Sequence, residues 1–475
     1  MHKNIFKLRD RLGAAFNKIK NEQLKTNLLQ ALPFWVASLL TGLVAVFYAR
    51  LFAWAESWAA HIYKNSGWIF FIVTPFCFIL SWWVVKKFAP FARGSGIPQV
   101  MAAIEIVSPG NVKKVNRLLS IRIIIIKIIS SIILVFGGGA IGREGPTIQI
   151  AGSIFRKVNQ VLPAWWPKIS KRNMIMTGSA AGLAAAFNTP LGGIVFAVEE
   201  LTKTHISYFK TALFSAVIIA GLTAQGLLGP YLYLGFPDVS NLSGYIFLMV
   251  IVVAAIAGIA GSFMSKIILW LFNWKARFKF KYQAFLFVMV CGVIISFIGF
   301  FISNSIYGSG KELMTHTLFS SDKQVEWYVP LLRMAGPVLS FTTGASGGVF
   351  APSLGAGASI GSVLSGWLEL NATNTNLLVL AGMVGFLTGV TRTPFTSAIL
   401  VLEMTDRHNV IFHLMLAGMV ATLVSIFVDK RSFYDHLKEK YINEAEKEEE
   451  IEQKKILEKE NDEEKKSDNN DKQES

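Results

Sequence analysis

The chain has 475 residues, 52% hydrophobic and only 16% charged, with a mean hydropathy of +0.46. Soluble domains carry about 25% charged residues, so the composition excludes an ordinary soluble domain and points to a polytopic membrane protein. The formal net charge of +15 would suggest nucleic acid in a soluble chain; here basic loops facing the inner side of a membrane account for it, and no nucleic-acid partner is expected.

In chain order, "MHKNIFKLRDRLGAAFNKIKNEQLK" lacks the apolar core and cleavage site of a signal peptide. Residues 1–30 read as a basic amphipathic helix ahead of the first span, with its Lys/Arg excess placing the N-terminus in the cytoplasm. The runs "LPFWVASLLTGLVAVFYA", "WIFFIVTPFCFILSWWVV", "YIFLMVIVVAAIAGIAGSFM", "AFLFVMVCGVIISFIGFFI" and "IFHLMLAGMVATLVSIFV" each approach the roughly 20 residues that a spanning helix needs. Shorter stretches broken by Gly and Pro bring the expectation to about ten or more embedded segments, some too short to cross. Cys77 and Cys291 lie inside apolar runs, so neither a disulfide nor a metal site is expected. Beyond Tyr434 the chain is densely charged without apolar periodicity, and residues 435–475 read as a disordered cytoplasmic tail.

The membrane body repeats itself. "GLAAAFNTPLGGIVFAVEE" aligns with "GFLTGVTRTPFTSAILVLE", placing Thr189-Pro190 on Thr393-Pro394 and Glu199 on Glu403. "GREGPTIQIAGSI" aligns with "GGVFAPSLGAGASI", and "GSGIPQV" answers "GSGKELM". The first two pairs share an offset of roughly 205 residues and the order is kept throughout. Two membrane halves, residues 31–230 and 231–434, are expected, with broken helices at matching places and a substrate site where the breaks meet. The fold class is all-α, with two inverted-repeat halves and re-entrant helices.

The breaks carry the chemistry. The first N–H groups of a helix have no partner within it, and the helix dipole adds partial positive charge there. "GSGIP", "GREGP" and "GGVFAP" each set flexible glycines before a proline, which suits the first helical turn. Such turns let a small anion approach backbone donors closely. A row of Lys or Arg would hold the anion too tightly to release it. A single motif of this kind reads as a mere kink; three in repeat-related places read as an anion site.

These three motifs resemble, in order, the anion-selectivity motifs of the CLC chloride channel and transporter family, and "GFLTGVTRTPFTSAILVLEMT" is similar to it as well. The resemblance spans roughly residues 30 to 440. It implies that Ser95 and Tyr434 donate hydroxyls to a central chloride, within an anion site built by Gly96, Ile97, Gly145, Val349 and Phe350, of which Val349 and Phe350 offer backbone N–H groups. It implies that Glu144 is a gate whose carboxylate competes with the anion, and that Arg143 sets the field near the outer end of the pore. An interfacial, snorkelling arginine is an equal alternative for Arg143. Glu200 falls where proton-coupled members keep an internal proton-transfer glutamate, with Glu199 a helper beside it. Lys127, set among isoleucines, costs roughly 3 kcal/mol to insert without a partner, and is expected to hold Glu200 or a nearby carboxylate ionised. Met101 and Gln99 depart from acids found in relatives.

The resemblance implies exchange of chloride for protons by a homodimer with one pore per subunit, in the inner cell membrane, with both termini cytoplasmic and no cofactor. The alternatives are a passive chloride channel of the same fold, a fluoride exporter, or a sodium-coupled transporter of an organic anion. An enzyme is not expected, because no nucleophile–base pair and no nucleotide motif stands out.

Overall fold

Lipid offers backbone groups no hydrogen-bonding partner, so a segment within it must satisfy its own as helix. The computed structural model describes residues 22–202, 210–229 and 232–471. Among these residues the regular elements are helices, and β-pairing is confined to two isolated bridges.

The first half runs α1 (Glu22–Ser66), α2 (Phe70–Phe88), α3 (Ile97–Ile106), α4 (Val112–Leu118), α5 (Ile121–Phe136), α6 (Glu144–Val161), α7 (Lys171–Phe187), α8 (Pro190–Phe196) and α9 (Lys210–Leu228). The second runs α10 (Ile246–Lys275), α11 (Lys281–Phe301), α12 (Lys311–Phe319), α13 (Val329–Thr342), α14 (Phe350–Trp367), α15 (Ala372–Thr391), α16 (Pro394–Thr405) and α17 (Ile411–Val428), followed by α18 (Phe433–Asp471). Seven stretches among the described residues are long and apolar enough to cross a bilayer: α1 with α2, α4 with α5, α9, α10, α11, α15, and α17 with its preceding turn. The apolar helices α3 and α16 are too short. This is the expected mixture of spanning and broken segments in a multi-pass membrane protein.

The layering follows from side-chain size. The α15 span is 94% buried inside the protein, carries glycines at Gly382, Gly385 and Gly389, and packs against α14 and α10. A Cβ at Gly382 would strike the Gly357 carbonyl, so α14 and α15 touch backbone to backbone, as small residues permit in membranes. By contrast α11 keeps Phe297, Phe301 and Val290 on its outer face, where lipid suits them.

The sequence repeat is a backbone repeat. Left-handed glycines, Gly96 at φ 101° and Gly310 at φ 90°, precede α3 and α12. Left-handed residues, Asn188 at φ 58° and Arg392 at φ 63°, end α7 and α15. Thr189 and Thr393 then turn the chain with φ −127° and −120° before the prolines that start α8 and α16.

Two expectations need correction at the ends. Of the amphipathic N-terminal segment, residues 1–21 lie outside the described residues, and α1 runs unbroken from Glu22 past residue 30. Over its described part the expected disordered tail, residues 435–475, is helical: Phe433–Asp471 is one helix, and residues 472–475 lie outside the described residues. Tyr441 and Ala445 are buried against the body, and the next turns form ion pairs with α4 through Lys114–Glu449 and Arg117–Glu452. Charged composition argued for disorder; docking of the first turns supplies the nucleus from which the Glu/Lys-rich remainder propagates as helix.

Candidate anion site

The three glycine motifs meet. Gly94 N–H donates to the Ala345 carbonyl (2.8 Å), and Gly347 N–H to the Gly94 carbonyl (3.1 Å). Gly142 and Gly348 exchange both backbone hydrogen bonds at 2.8 Å. These two bridges stitch the turns ahead of α3, α6 and α14 into one unit, so the three helices begin at a common place.

Ser95 precedes Gly96 and is buried. The backbone before it is held from several sides: Lys127 Nζ donates to the carbonyls of Ala92 (2.9 Å) and Gly94 (3.0 Å), and Gln99 Nε2 to that of Arg93 (2.6 Å). Ile97 is fully buried. Gly145 is required by proximity, since a Cβ there would lie 3.0 Å from the Ser95 carbonyl and still closer to its hydroxyl. Tyr434, second residue of α18, is fully buried, and its ring stacks on Phe350 at 6.5 Å and 7°. The Ser95 and Tyr434 hydroxyls face one another, and neither bonds to any other described residue. A pair of buried hydroxyls with no protein partner beyond each other is rare in a folded interior.

Glu144 opens α6 and is 1% exposed. Its Oε2 lies against the Gly142 backbone and accepts no hydrogen bond from the described residues. Its own N–H and that of Ala351, in the first turn of α14, face the carboxylate. The carboxylate thus sits where two helix N-termini converge, α6 and α14, with Val349 and Phe350 starting the latter. Such N-termini favour negative charge. Arg143 is the residue before Glu144, half-buried, and its carbonyl accepts from Thr147.

Glu200 is buried in a π-helical turn, Ala197–Thr202, that extends α8. Such insertions are frequent at functional sites. Glu199, its neighbour, is occupied otherwise: its oxygens accept from Phe395 N–H (3.2 Å), Thr396 N–H (2.7 Å) and the Thr396 hydroxyl (2.7 Å). It caps α16.

Lys127 is where the expectation fails. Fully buried, it spends its hydrogen bonds on the Ala92 and Gly94 carbonyls and on no carboxylate within ion-pair reach among the described residues. The turn Pro90–Ala92 leaves carbonyls without helical partners, and the buried Lys127 amine donates to them. Sequence reading missed its counterpart, Arg333 on α13, whose fully buried guanidinium donates to the carbonyls of Ser305 and Tyr307 (each 2.9 Å) and Gly308 (3.3 Å). The signal was there: a lone cation in an apolar helix ahead of the second glycine motif's repeat.

A family model described as voltage gated chloride channel matches residues 76–426, three quarters of the chain's membrane body or more. The chain belongs to that family. It is similar to the H(+)/Cl(-) exchange transporter ClcA of Salmonella arizonae, 29% identical over 430 residues that cover 86% of this chain and 88% of the relative. The transporter of that name from Citrobacter koseri is 27% identical, with the same coverage. Among solved structures, a slow cyanobacterial Cl-/H+ antiporter superposes with TM-score 0.76 at 23% identity, covering 87% of this chain and 98% of that one. A CLC-type fluoride/proton antiporter superposes with TM-score 0.73 at 21% identity, covering 86% and 98%. At these identities the superpositions establish the CLC fold, with its two repeat halves.

Proposed function

We propose that the protein exchanges chloride for protons across the membrane, with Glu144 as the gate that competes with chloride and Glu200 as the inner proton-transfer group. The observation that carries this reading is the Glu144 carboxylate at the meeting point of two helix N-termini, beside the paired Ser95 and Tyr434 hydroxyls. An ionised carboxylate and an anion compete for the same donors. Protonation removes the carboxylate's charge, so it yields its place; one group then links proton and chloride movement. The similar proteins named exchange transporters support coupling over passive flow, and Glu200, buried near the end of α8, supplies a second carboxylate for the proton's route. The chemistry uses only the chain's own groups, with no cofactor and no catalysed reaction. Placement in the inner cell membrane, cytoplasmic termini and a homodimer belong to the same proposal.

The test uses purified protein in liposomes loaded with high chloride and diluted into low chloride, with external pH followed. Exchange predicts proton uptake that runs with chloride efflux, survives a voltage clamp and vanishes in Glu200→Gln. Chloride efflux without coupled proton movement in the native protein would make it a channel.

A further inference from the structure

The two hydroxyls of the anion site belong to segments far apart in sequence, and a row of ion pairs ties those segments together. Arg93 stands two residues before Ser95. Its guanidinium pairs with Glu444 of α18 and lies over the Tyr441 ring, 4.9 Å from the centroid. The Tyr441 hydroxyl in turn reaches the Arg93 carbonyl at 3.4 Å. Tyr434 is on the same helix α18, so one rigid rod carries both the site's tyrosine and the partners of Arg93. Nearer the start of α18, Lys438 pairs with Glu105 at the end of α3 (2.8 Å), and farther along it Arg117 of α4 pairs with Glu452 (2.6 Å). The segment from Arg93 through Ser95 to the end of α3 is therefore tied to α18 at both of its ends.

We propose that Arg93 and Glu444 are positioning residues whose ion pair, backed by the α18 zipper, sets the gap between the Ser95 and Tyr434 hydroxyls and so the affinity for chloride. This rests on the reading that those hydroxyls bind the anion. Preorganised donors bind more tightly than donors that must be brought together. The Arg93 and Glu444 side chains are about one third exposed, at 31% and 32%, so salt screens the clamp, whereas the Ser95 and Tyr434 hydroxyls are buried. The inner donor pair is thereby made responsive to ionic strength through a contact that no anion touches.

Sign separates positioning from plain electrostatics. Removing the negative Glu444 from the neighbourhood of an anion site would, by field alone, strengthen chloride binding. Loss of positioning weakens it. Calorimetric titration of chloride into the purified full chain at low ionic strength, for the native protein, Glu444→Gln, Glu444→Asp and Ser95→Ala, reads that sign. We expect Glu444→Gln to weaken chloride binding about three- to fivefold, the range of a partly exposed ion pair, with Glu444→Asp recovering most of it. Raising ionic strength with a large impermeant anion should weaken the native protein and leave Glu444→Gln unchanged. Unchanged or tighter binding in Glu444→Gln, alongside weakened binding in Ser95→Ala, overturns the inference. If Ser95→Ala binds as the native protein does, the hydroxyl reading itself is wrong. Should Glu444→Gln not fold, Arg117→Gln loosens the same helix farther from the site and is expected to shift affinity in the same direction, by less; no shift there overturns the inference too.

Discussion

Glu199 and Glu403 cap each other's helices. Glu199, just after α8, accepts from the first N–H groups of α16 at Phe395 and Thr396, while Glu403, on α16, accepts from those of α8 at Leu191 (3.0 Å) and Gly192 (2.6 Å). The two residues align in the sequence repeat, so the exchange is what a two-fold relation between halves demands. Each carboxylate satisfies orphan donors at a helix start where lipid cannot. Charge-assisted bonds of this kind contribute about 1.5–3 kcal/mol. Glu199→Ala and Glu403→Ala should each lower the unfolding temperature in detergent by similar amounts. Glu199→Gln, with one acceptor oxygen left, should melt lower than the native protein while keeping proton coupling. If Glu199 instead lined the proton's water access, proton flux would drop while the melting temperature stayed put.

The gate assignment makes a separate demand. Glu144→Gln removes the charge that competes for the α6 and α14 N-termini but keeps the shape. Anion flux should persist, lose its dependence on pH and carry no protons. The measurement is chloride efflux from liposomes followed across a series of pH values. Abolished chloride binding in Glu144→Gln would mean that the carboxylate builds the site and does not gate it.

How much of this could be read in the chain divides along a physical line. "GSGIP", "GREGP" and "GGVFAP" announce themselves because an anion site made from backbone needs glycine and proline at fixed places, and the repeat doubled the signal. The convergence of Ser95 with Tyr434 was legible only through family resemblance, since 339 positions of chain separate them and no local pattern joins them. The partners of Lys127 and Arg333 were hidden for another reason. Both bind carbonyls, and every residue has a carbonyl, so composition cannot nominate which are left over. A carboxylate partner for Lys127 was the natural expectation from charge, and the turn geometry overrode it. The helical tail was missed because its docking residues, Tyr441 and Ala445, are sparse among charges, too few to register as periodicity.

Gly145→Ala tests the closeness of the three turns. A Cβ there would meet the Ser95 hydroxyl and approach its Cβ to 3.2 Å, forcing Ser95 out of place. Alanine is otherwise favoured over glycine inside a helix by about 1 kcal/mol, and position 145 is the second residue of α6. The variant should therefore fold, with its melting temperature close to native, yet bind chloride about tenfold or more weakly by calorimetry. Native affinity would mean that the Ser95 hydroxyl can be moved without consequence.

Lys127 and Arg333 offer the sharpest comparison, because the repeat gives them the same task at different places. Each is a fully buried basic side chain that gathers carbonyls ahead of a left-handed glycine, Gly96 in one half and Gly310 in the other. Replacing either with Met keeps the volume and removes the donors. In Lys127→Met the Gly94 carbonyl retains the Gly347 N–H, which leaves chiefly Ala92 short, at about 1–3 kcal/mol. Arg333→Met strips donors from Ser305, Tyr307 and Gly308 at once and should be the more destabilising of the two by thermal unfolding. Chloride affinity should separate them in the opposite sense: Lys127→Met loosens the turn that carries Ser95 and should bind chloride several-fold more weakly, whereas Arg333→Met supports a turn that bears no anion-binding hydroxyl and should bind as native among molecules that remain folded. A Lys127→Met protein with native chloride affinity but an altered pH dependence of proton flux would return Lys127 to the role of a partner for Glu200.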